Sequence, residues 1–282
     1  MGKIIDGRLI AKKYQNAVKD YVKSRMSKGL RAPCLTAIIC GDDGGSLYYL
    51  NNQNKLCKEM GIEHKIFKLN KDASHDEITE LIKNLNNDPK VDGIILQLPL
   101  PQHLNQREIT SLISSKKDVD GLTDINTGRF YKGKKCFVPC TPQSIIELIK
   151  STGITIESMN AVVIGRSNIV GKPACQLLVN ENATVTLCHS KTRNIKDICQ
   201  KADILVCAVG KPHYIDDSFI KEGAVLIDVG TTMVNGKVCG DMDFEKVIKK
   251  ASYVTPVPGG VGSVTTTMLI KNTCEAAEIN VC

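Results

Sequence analysis

The sequence predicts an α/β protein of two domains, the second of which is built on a doubly wound parallel sheet. Its 282 residues are long for a single domain. Short apolar runs bounded by turn residues alternate with stretches of helical period, as in βα units. From Ala161 onward the apolar runs recur about every 20 residues, which is the spacing of βαβ crossovers.

Helices and strands alternate in the first half of the chain. The predicted elements are a helix from Arg8 to Lys28, a strand at 35–40, a helix from Ser46 to Met60, a strand at 64–69, a helix opened by a capping box at Ser74 and Glu77, and a strand at 91–98. Residues 99–142 are rich in Pro, Asp and Gly and are predicted to be loops. Pro142 is expected in the first turn of a connecting helix.

The second half contains four strand-like runs, AVVIG, ATVTLC, DILVCAV and AVLIDVG, with helical stretches between them. Asn235–Gly236 predicts a hairpin turn. The segment 263–279 has helical period, and we expect it to return to the first domain. The predicted domains are therefore residues 1–140, completed by residues 263–282, and residues 141–262.

The composition is that of a globular protein, with 42% hydrophobic and 24% charged residues. No apolar run approaches the roughly 18–20 residues of a membrane span. The start of the chain, MGKIIDGRLI, lacks the apolar stretch of a secretory signal. We therefore expect a cytoplasmic protein with no membrane partner.

The net charge of +7 has two explanations. Lysines spread over solvated helix faces account for it, and so does a small polyanionic cofactor or substrate. Nucleic acid is not an expected partner, because the chain has no Trp, only 4% aromatic residues and no basic tract interleaved with aromatics.

The twelve cysteines do not have the spacing of a metal site. No C-x-x-C pair occurs, and the two closest cysteines, Cys136 and Cys140, lack a second pair or a suitable His. Most cysteines lie inside apolar segments, which predicts small buried side chains in a reducing compartment and no bound metal.

A strand, a Gly/Ser turn and a helix start follow one another in VVIGRSNIVGKP, residues 162–173. Gly165 allows a tight turn, Ser167 stands where the dinucleotide fingerprint has its second glycine, and Gly171 allows close packing of helix on strand. Within a βαβ series this pattern favours a Rossmann-type site, where the helix N-terminus accepts a pyrophosphate. A purely structural turn is the alternative.

The end of the next strand bears on which cofactor binds. An NAD site usually has an Asp or Glu there for the ribose 2′-hydroxyl. Here ATVTLC is followed by His189, Ser190, Lys191, Thr192 and Arg193. Hydroxyls and cations suit a 2′-phosphate, so we expect NADP, with NAD as the alternative; a solvated basic loop would have the same composition.

Four loops have the composition of ligand sites. They are GDDGGSLYYL (41–50), QLPLPQH (97–103), KDVDG (117–121) and TPVPGGVG (255–262). The first three follow buried elements at the edge where α/β proteins bind ligands, and the fourth can bring bare backbone against a flat ligand.

These segments, together with DGIILQLPLP, PCTP, IGRSNIVGKP, CHSKT and IDVG, resemble the methylenetetrahydrofolate dehydrogenase/methenyltetrahydrofolate cyclohydrolase family in order and spacing over essentially the whole chain. The resemblance implies a folate-binding catalytic α/β domain joined to an NAD(P)-binding Rossmann domain. It also implies a homodimer whose substrates are tetrahydrofolate derivatives, polyglutamated forms included, bound in a cleft between the domains.

Carried over motif by motif, the resemblance assigns the following site residues. Tyr49, Gln97 and Asp120 line the folate site, with Pro258 and Gly259 of the PGGVG loop. Gly165, Arg166, Ser167, Ser190 and Thr231 contact the cofactor. Two short segments depart from the family pattern, at 231–233 and 263–264, and the first of these lies near the expected cofactor.

The residue types fit the implied chemistry. Oxidation of a methylene bridge sends a hydride to the nicotinamide and leaves an amidinium cation shared by two folate nitrogens, so positioning matters more than an acid or a base. Asp120 can bind pterin N–H groups through charge-assisted hydrogen bonds, and Tyr49 can orient the ring. Core packing for Tyr49 and a turn-forming role for Asp120 are the alternatives.

One departure concerns the second reaction of the family, which adds water to the amidinium. The family pattern has a Lys four residues after the Tyr, and this chain has Gln53 there. An amide is neither a general acid nor a general base. Lys55 is expected to point away, because two residues rotate a helix by about 200°. Tyr49, Gln53, Gln97 and Asp120 are thus the predicted catalytic set, with hydrolysis in doubt.

Three rival functions remain at this point. The chain is alternatively an NAD-linked monofunctional dehydrogenase or an amino-acid or hydroxy-acid dehydrogenase of the same two-domain plan. The latter needs a catalytic Lys–Asp or His–Asp pair in the first domain, which the sequence does not indicate. A non-catalytic folate-binding protein is the third.

Overall fold

The computed structural model describes residues 1–42 and 44–279. Asp43 of the predicted GDDGG loop and the last three residues of the predicted segment 263–282 lie outside the described residues. The chain divides into two compact units. We call Met1–Lys12 with Thr141–Thr265 the six-stranded unit, and Lys13–Cys140 with Thr266–Cys282 the three-stranded unit.

The first half of the chain forms the alternating elements that its periodicity predicts. These are β1 (Lys3–Ile4), α1 (Gly7–Ser27), β2 (Cys34–Cys40), α2 (Gly44–Met60), β3 (Glu63–Leu69), α3 (His75–Asn87), β4 (Gly93–Leu96), α4 (Gln106–Ser111), α5 (Asp124–Tyr131) and α6 (Cys140–Lys150). Ser74 caps α3 as predicted, because its Oγ accepts the N–H of Glu77 at 3.1 Å.

The second half continues with β5 (Asn160–Ile164), α7 (Gly171–Asn180), β6 (Thr184–Cys188), α8 (Ile195–Cys199), β7 (Ile204–Cys207), a short 3₁₀ helix (Asp217–Phe219), β8 (Val225–Asp228), β9 (Thr232–Val234), β10 (Lys237–Cys239), α9 (Phe244–Val247), β11 (Tyr253–Val254) and α10 (Val261–Ile279). The predicted Asn235–Gly236 turn joins β9 to its antiparallel partner β10, and both residues have positive φ.

The three-stranded unit has a parallel sheet of order β3–β2–β4. Every residue of β2 and β4 is buried, which explains their unbroken apolar sequences. A core of Ile38, Ile78, Ile82, Ile94 and Ile109 joins the sheet to α3 and α4. The sheet therefore presents the ends of β2 and β4 side by side.

The six-stranded unit has a parallel sheet of order β1–β11–β8–β7–β5–β6. The order of the strands reverses between β5 and β7, and in doubly wound sheets ligands bind at this switch point, beyond the carboxyl ends of the strands. The predicted Rossmann-type doubly wound sheet is therefore confirmed.

Two details differ from the sequence prediction. The predicted first domain includes residues 1–12, but β1 pairs with β11, Lys3 opposite Tyr253 and Ile4 opposite Val254, and so belongs to the six-stranded unit. The predicted loop 99–142 contains α4 and α5, whose first turns are capped by the side chains of Asn105 and Thr123.

Candidate active site

Gln53 lies on the buried face of α2. Buried side chains recur along this helix at Ser46, Leu50, Gln53 and Met60, at the i, i+4, i+7 spacing of one face. Gln53 is 5% exposed, whereas Lys55 is exposed. As expected from the rotation of the helix, Lys55 does not lie on the same face as Gln53.

Gln97 joins this face from the sheet. It follows β4, and its Nε2 donates a hydrogen bond to Oε1 of Gln53 at 3.1 Å, with both side chains buried. Its backbone N–H donates to the carbonyl of Ile38 at 2.8 Å, which extends the pairing of β2 with β4. Tyr49 lies one helical turn before Gln53 and is 36% exposed. Gln53 and Gln97 are thus joined directly, and a shared site with Tyr49 stays a prediction.

Asp120 and Asp118 of the KDVDG turn have different environments. The Asp118 carboxylate accepts hydrogen bonds from the N–H groups of Leu122 and Thr123 at 3.0 and 2.9 Å, and from Asn126 Nδ2 at 2.8 Å, so it shapes the turn. Asp120 accepts the N–H of Cys140 at 3.4 Å. Burial raises the pKa of Asp120 to about 6.

A small cavity connects Asp120 to the end of β4. It has a volume of about 10 Å³, and Leu96, Leu98, Asp118 and Asp120 are among its lining residues. This is room for about one water molecule. The residues on either side of Gln97 and the carboxylate of Asp120 are therefore neighbours within the three-stranded unit.

The cradle for a dinucleotide lies at the switch point of the six-stranded sheet. Gly165 follows β5 with a φ of +119°, and a Cβ there would collide with the carbonyl oxygen of Ala208, which follows β7. Bare backbone at the start of α7 fits the close approach of a pyrophosphate. The turn without a side chain at Gly165 therefore fits a nicotinamide dinucleotide.

Three of the predicted cofactor residues line one cavity. It has a volume of about 230 Å³, and its lining residues are Ile164, Gly165, Arg166, His189, Ser190, Ile195, Ala208, Val209, Lys211 and Tyr214. Among these described residues none is acidic, and two, Arg166 and Lys211, are basic. The loop that carries Ser190 is closed by Thr192, whose Oγ1 accepts the N–H of His189 at 2.9 Å.

The other predicted residues do not line this cavity. Ser167 Oγ accepts the N–H groups of Val170 and Gly171 at 3.1 and 3.4 Å, so the hydroxyl supports the start of α7. Thr231 is exposed between β8 and β9. Cofactor contacts for Ser167 and Thr231 stay predictions.

Pro258 and Gly259 lie in the six-stranded unit, between β11 and α10. Gly259 has a φ of +112°, and its carbonyl accepts the N–H of Gly7 at 2.9 Å. The guanidinium of Arg8 lies beside it, with Nε 3.4 Å from the position of a Cβ on Gly259. Their predicted role in substrate binding stays a prediction.

Sequence reasoning missed three residues that border these sites. Lys211 and Tyr214 line the dinucleotide cavity, with Lys211 Nζ 5.8 Å from the centre of the Tyr214 ring. The signal was present, because GKP follows the strand DILVCAV at the same edge of the sheet. Cys140, in the PCTP motif, is the third, since it donates to Asp120.

Two other features are absent from residues 1–42 and 44–279. No group of three or more His, Cys, Asp or Glu side chains there has the arrangement of a metal site. No helix in the same ranges combines the length and the apolar character needed to cross a membrane.

Comparison with known proteins matches both halves of the chain. Residues 5–120 match the catalytic domain of tetrahydrofolate dehydrogenase/cyclohydrolase, and residues 139–281 match the NAD(P)-binding domain of the same family. The bifunctional protein FolD of Clostridium acetobutylicum is 58% identical over 276 residues, which cover 98% of this chain and 99% of that protein.

Solved structures agree with this match. The bifunctional FolD methylenetetrahydrofolate dehydrogenase/cyclohydrolase of Campylobacter jejuni superposes with a TM-score of 0.96 at 40% identity, covering 99% of both chains. The Trypanosoma brucei methylenetetrahydrofolate dehydrogenase-cyclohydrolase, complexed with NADP and an inhibitor, has a TM-score of 0.95 at 36% identity and covers 99% of this chain and 98% of its own. The two matched domains include Gln53, Gln97 and Asp120 in the first and the dinucleotide cradle in the second. The chain therefore belongs to the tetrahydrofolate dehydrogenase/cyclohydrolase family.

Proposed function

We propose that the protein oxidises 5,10-methylenetetrahydrofolate to 5,10-methenyltetrahydrofolate with NADP, and that it hydrolyses the methenyl product poorly or not at all. The observation that carries this proposal is the buried pair of Gln53 and Gln97, joined by a 3.1 Å hydrogen bond. The pair contains hydrogen-bonding groups that can hold a substrate and no group that can exchange a proton near neutral pH.

Folate binding is assigned to the three-stranded unit. The partly buried carboxylate of Asp120 can accept hydrogen bonds from the amino and ring N–H groups of a pterin, and Gln97 can donate to or accept from the ring edge. Tyr49, one turn from Gln53, offers a flat aromatic surface beside them. The names of the relatives support a folate-derived substrate.

The hydride step asks little of the protein beyond orientation. When bound, the nicotinamide accepts the hydride, and the two folate nitrogens stabilise the cation that results. The chain binds the cofactor at the turn of Gly165 and the folate at Asp120, Gln97 and Tyr49, and so orients each reactant. Replacement of Lys by Gln at position 53 removes none of these contributions.

The hydrolytic step has a further requirement. Water must lose a proton as it attacks the amidinium, and a positioned acid or base typically contributes about 10²–10⁴-fold to such a step. Gln53 occupies the position at which the family pattern has Lys, and exposed Lys55 lies on another face of α2. The relatives named as bifunctional favour some hydrolysis, and position 53 favours its loss.

NADP is preferred to NAD in this proposal because of the charge around Ser190. The cavity has Arg166 and Lys211 in its lining and no carboxylate among its described lining residues. A 2′-phosphate gains charge-assisted hydrogen bonds in such a setting, whereas the ribose of NAD lacks its usual acidic partner. The relative solved with NADP supports the same choice. A cytoplasmic homodimer is part of the proposal and rests on the resemblance alone.

A hydroxy-acid dehydrogenase is the rival of a different substrate class. It needs a lysine free to act beside a carboxylate in the three-stranded unit. The buried lysine of that unit, Lys117, instead donates to the carbonyl oxygens of Leu85 and Asp88 at 2.9 and 2.7 Å. Lys117 therefore supports the end of α3 and does not serve as the catalytic lysine that a hydroxy-acid dehydrogenase needs.

An absorbance assay tests the dehydrogenase proposal. Purified protein is mixed with 5,10-methylenetetrahydrofolate and either NADP or NAD at equal concentration, and formation of the methenyl product is followed in the ultraviolet. We expect turnover with both and a higher kcat/KM with NADP. No methenyl product with either cofactor would remove the proposal, and a higher kcat/KM with NAD would remove its cofactor assignment.

A further inference from the structure

The loop after β7, which borders the dinucleotide cavity, is held by a buried carboxylate that a second buried carboxylate holds in turn. Asp241 follows β10 and is 0% exposed. Its Oδ2 accepts the N–H groups of Val209 and Gly210 at 2.6 and 3.0 Å, and its Oδ1 accepts the N–H of Lys211 at 2.8 Å. Val209 and Lys211 line the cavity. One side chain thus fixes three consecutive peptide groups of the loop after β7.

Asp228, at the end of β8, holds the neighbouring loops in the same way. It is 4% exposed, and its Oδ1 accepts the N–H groups of Gly230 and Asp241, both at 2.9 Å. Its Oδ2 accepts the N–H of Met242 at 2.9 Å. Its own N–H donates to Oγ1 of Thr255 at 2.8 Å, at the start of the TPVPGGVG loop. Asp228 therefore ties the segments after β8, β10 and β11 together.

The packing around this pair leaves no room for adjustment. A Cβ on Gly240 would collide with Oδ2 of Asp228, so the backbone of residue 240 touches the carboxylate. The two acids are also linked to each other, since the backbone of Asp241 donates to Asp228 while its side chain binds the loop at 209–211. Asp241 therefore binds residues that line the cavity, and Asp228 is connected to them through Asp241.

The two buried carboxylates bind backbone N–H groups rather than cations. In the described part of the chain no Lys, Arg or His forms an ion pair with Asp228 or Asp241; their partners are backbone N–H groups and, for Oδ2 of Asp241, the thiol of Cys207 at 3.9 Å. Burial of a carboxylate opposes folding, and these hydrogen bonds offset that effect. The result is a fixed arrangement of loops at the switch point.

We propose that Asp228 and Asp241 are positioning residues for the nicotinamide cofactor, which hold the loops after β7, β8 and β11 in the arrangement that binds it. This inference rests on the proposed function, because it needs the cavity at Gly165 and Ser190 to be the cofactor site. The hydrogen bonds of Asp228 and Asp241 are present in the cofactor-free protein, so the loops are ordered before binding and less conformational entropy is lost when the cofactor binds.

The test is Asp241→Asn, which keeps the size of the side chain and replaces one acceptor oxygen by a donor facing backbone N–H groups. We expect the Kd for NADPH, measured by fluorescence titration, to rise at least about tenfold. The kcat at saturating cofactor should stay within about twofold, because the reacting groups are untouched. Amide hydrogen exchange at residues 209–211 should accelerate in the cofactor-free protein.

Asp203→Asn is the matched control in the same unit. Asp203 accepts a hydrogen bond from the N–H of Asn160 at 2.9 Å and forms an ion pair with Lys221. It does not line the cavity. We expect it to lower the melting temperature without changing the Kd for NADPH. A Kd for Asp241→Asn equal to that of the unmodified protein would overturn the proposal, whatever happens to its melting temperature.

A milder variant keeps the proposal testable if Asp241→Asn does not fold. Thr255→Val preserves the shape of the side chain and removes the acceptor for the N–H of Asp228. We expect a Kd for NADPH raised about threefold or more, and an unchanged Kd would count against the pair. Failure of the unmodified protein to bind NADPH or NADH would instead overturn the proposed function.

Discussion

Asp120→Asn is expected to weaken folate binding while stabilising the fold at neutral pH. The carboxylate of Asp120 accepts hydrogen bonds best when ionised, and its pKa is raised by burial to about 6. Asn has one acceptor oxygen and one NH2 donor where the carboxylate has two acceptor oxygens, so the substitution removes the charge and sets a donor against a pterin N–H group, which costs about 1–3 kcal/mol. We therefore expect the KM for methylenetetrahydrofolate to rise by roughly 5- to 150-fold at pH 7.

The same pKa gives a pH dependence with a definite sign. With a pKa of about 6, Asp120 is ionised in about nine molecules of ten at pH 7 and in about one of ten at pH 5. The kcat/KM for folate should therefore fall about tenfold between pH 7 and pH 5 in the unmodified protein. In Asp120→Asn this part of the profile should be flat.

The stability effect runs in the opposite direction. Because the pKa of Asp120 is about 6 in the folded state and near 4 when unfolded, its contribution to stability is present below about pH 4 and is lost as the pH rises through 6. At pH 7 the neutral Asn of the Asp120→Asn variant does not lose this free energy of folding. The difference is at most about 3 kcal/mol for a pKa shift of about two units.

Urea denaturation followed by circular dichroism measures this difference. We expect Asp120→Asn to have the higher free energy of unfolding at pH 7 and to lose that advantage at pH 4. Asp124→Asn, at an exposed carboxylate four residues along, is the control: it should leave the KM unchanged and lower the free energy of unfolding by no more than about 1 kcal/mol, because it removes only an exposed ion pair with Arg107 and a charge in the first turn of α5. An Asp120→Asn protein that is less stable at pH 7, or that keeps the KM of the unmodified protein, would refute the reasoning.

Three further predictions concern single side chains. Ser190→Asp should raise the KM for NADP and spare NAD in steady-state kinetics, because a carboxylate repels the 2′-phosphate; equal effects on both would contradict the assignment. Gly165→Ala should abolish cofactor binding by fluorescence titration, since its methyl group would collide with the carbonyl of Ala208. Asp92→Asn should lower the free energy of unfolding, measured by urea denaturation, by at least about 2 kcal/mol. The reason is that buried Asp92 accepts two hydrogen bonds from Arg31 at 2.6 and 2.8 Å. A smaller loss would mean that solvent largely screens the pair.

Much of the fold follows from local sequence. The strands β2, β4, β5, β7 and β8 are continuous apolar runs, which is the pattern of strands buried on both faces, and the capping side chain of Ser74 marked the start of α3. The helices α4 and α5 were missed because they are short and lie in a segment rich in Pro, Asp and Gly. The strands β1 and β11 have two residues each, too few for any periodicity.

The candidate site divides in the same way. Gly165, Ser190 and the substitution at position 53 were predictable because each lies in a motif with its own spacing. The hydrogen bond between Gln53 and Gln97 was not, since 44 residues separate its partners. The IDVG motif contains Asp228, but the role of Asp228 and Asp241 in holding loops was not predictable, because most of their partners are backbone N–H groups, which every sequence has.

The central claim is that the hydride step survives Gln53 and the hydrolytic step does not. The most direct measurement follows methenyltetrahydrofolate by its ultraviolet absorbance after the purified protein receives 5,10-methylenetetrahydrofolate and NADP. We predict that the methenyl compound accumulates and then decays near its rate in buffer, and that Gln53→Lys speeds this decay. The gain is expected to be partial, because a useful lysine also needs neighbours that lower its pKa. Rapid decay with the unmodified protein, unaffected by Tyr49→Phe, would contradict the account and require another proton-handling group.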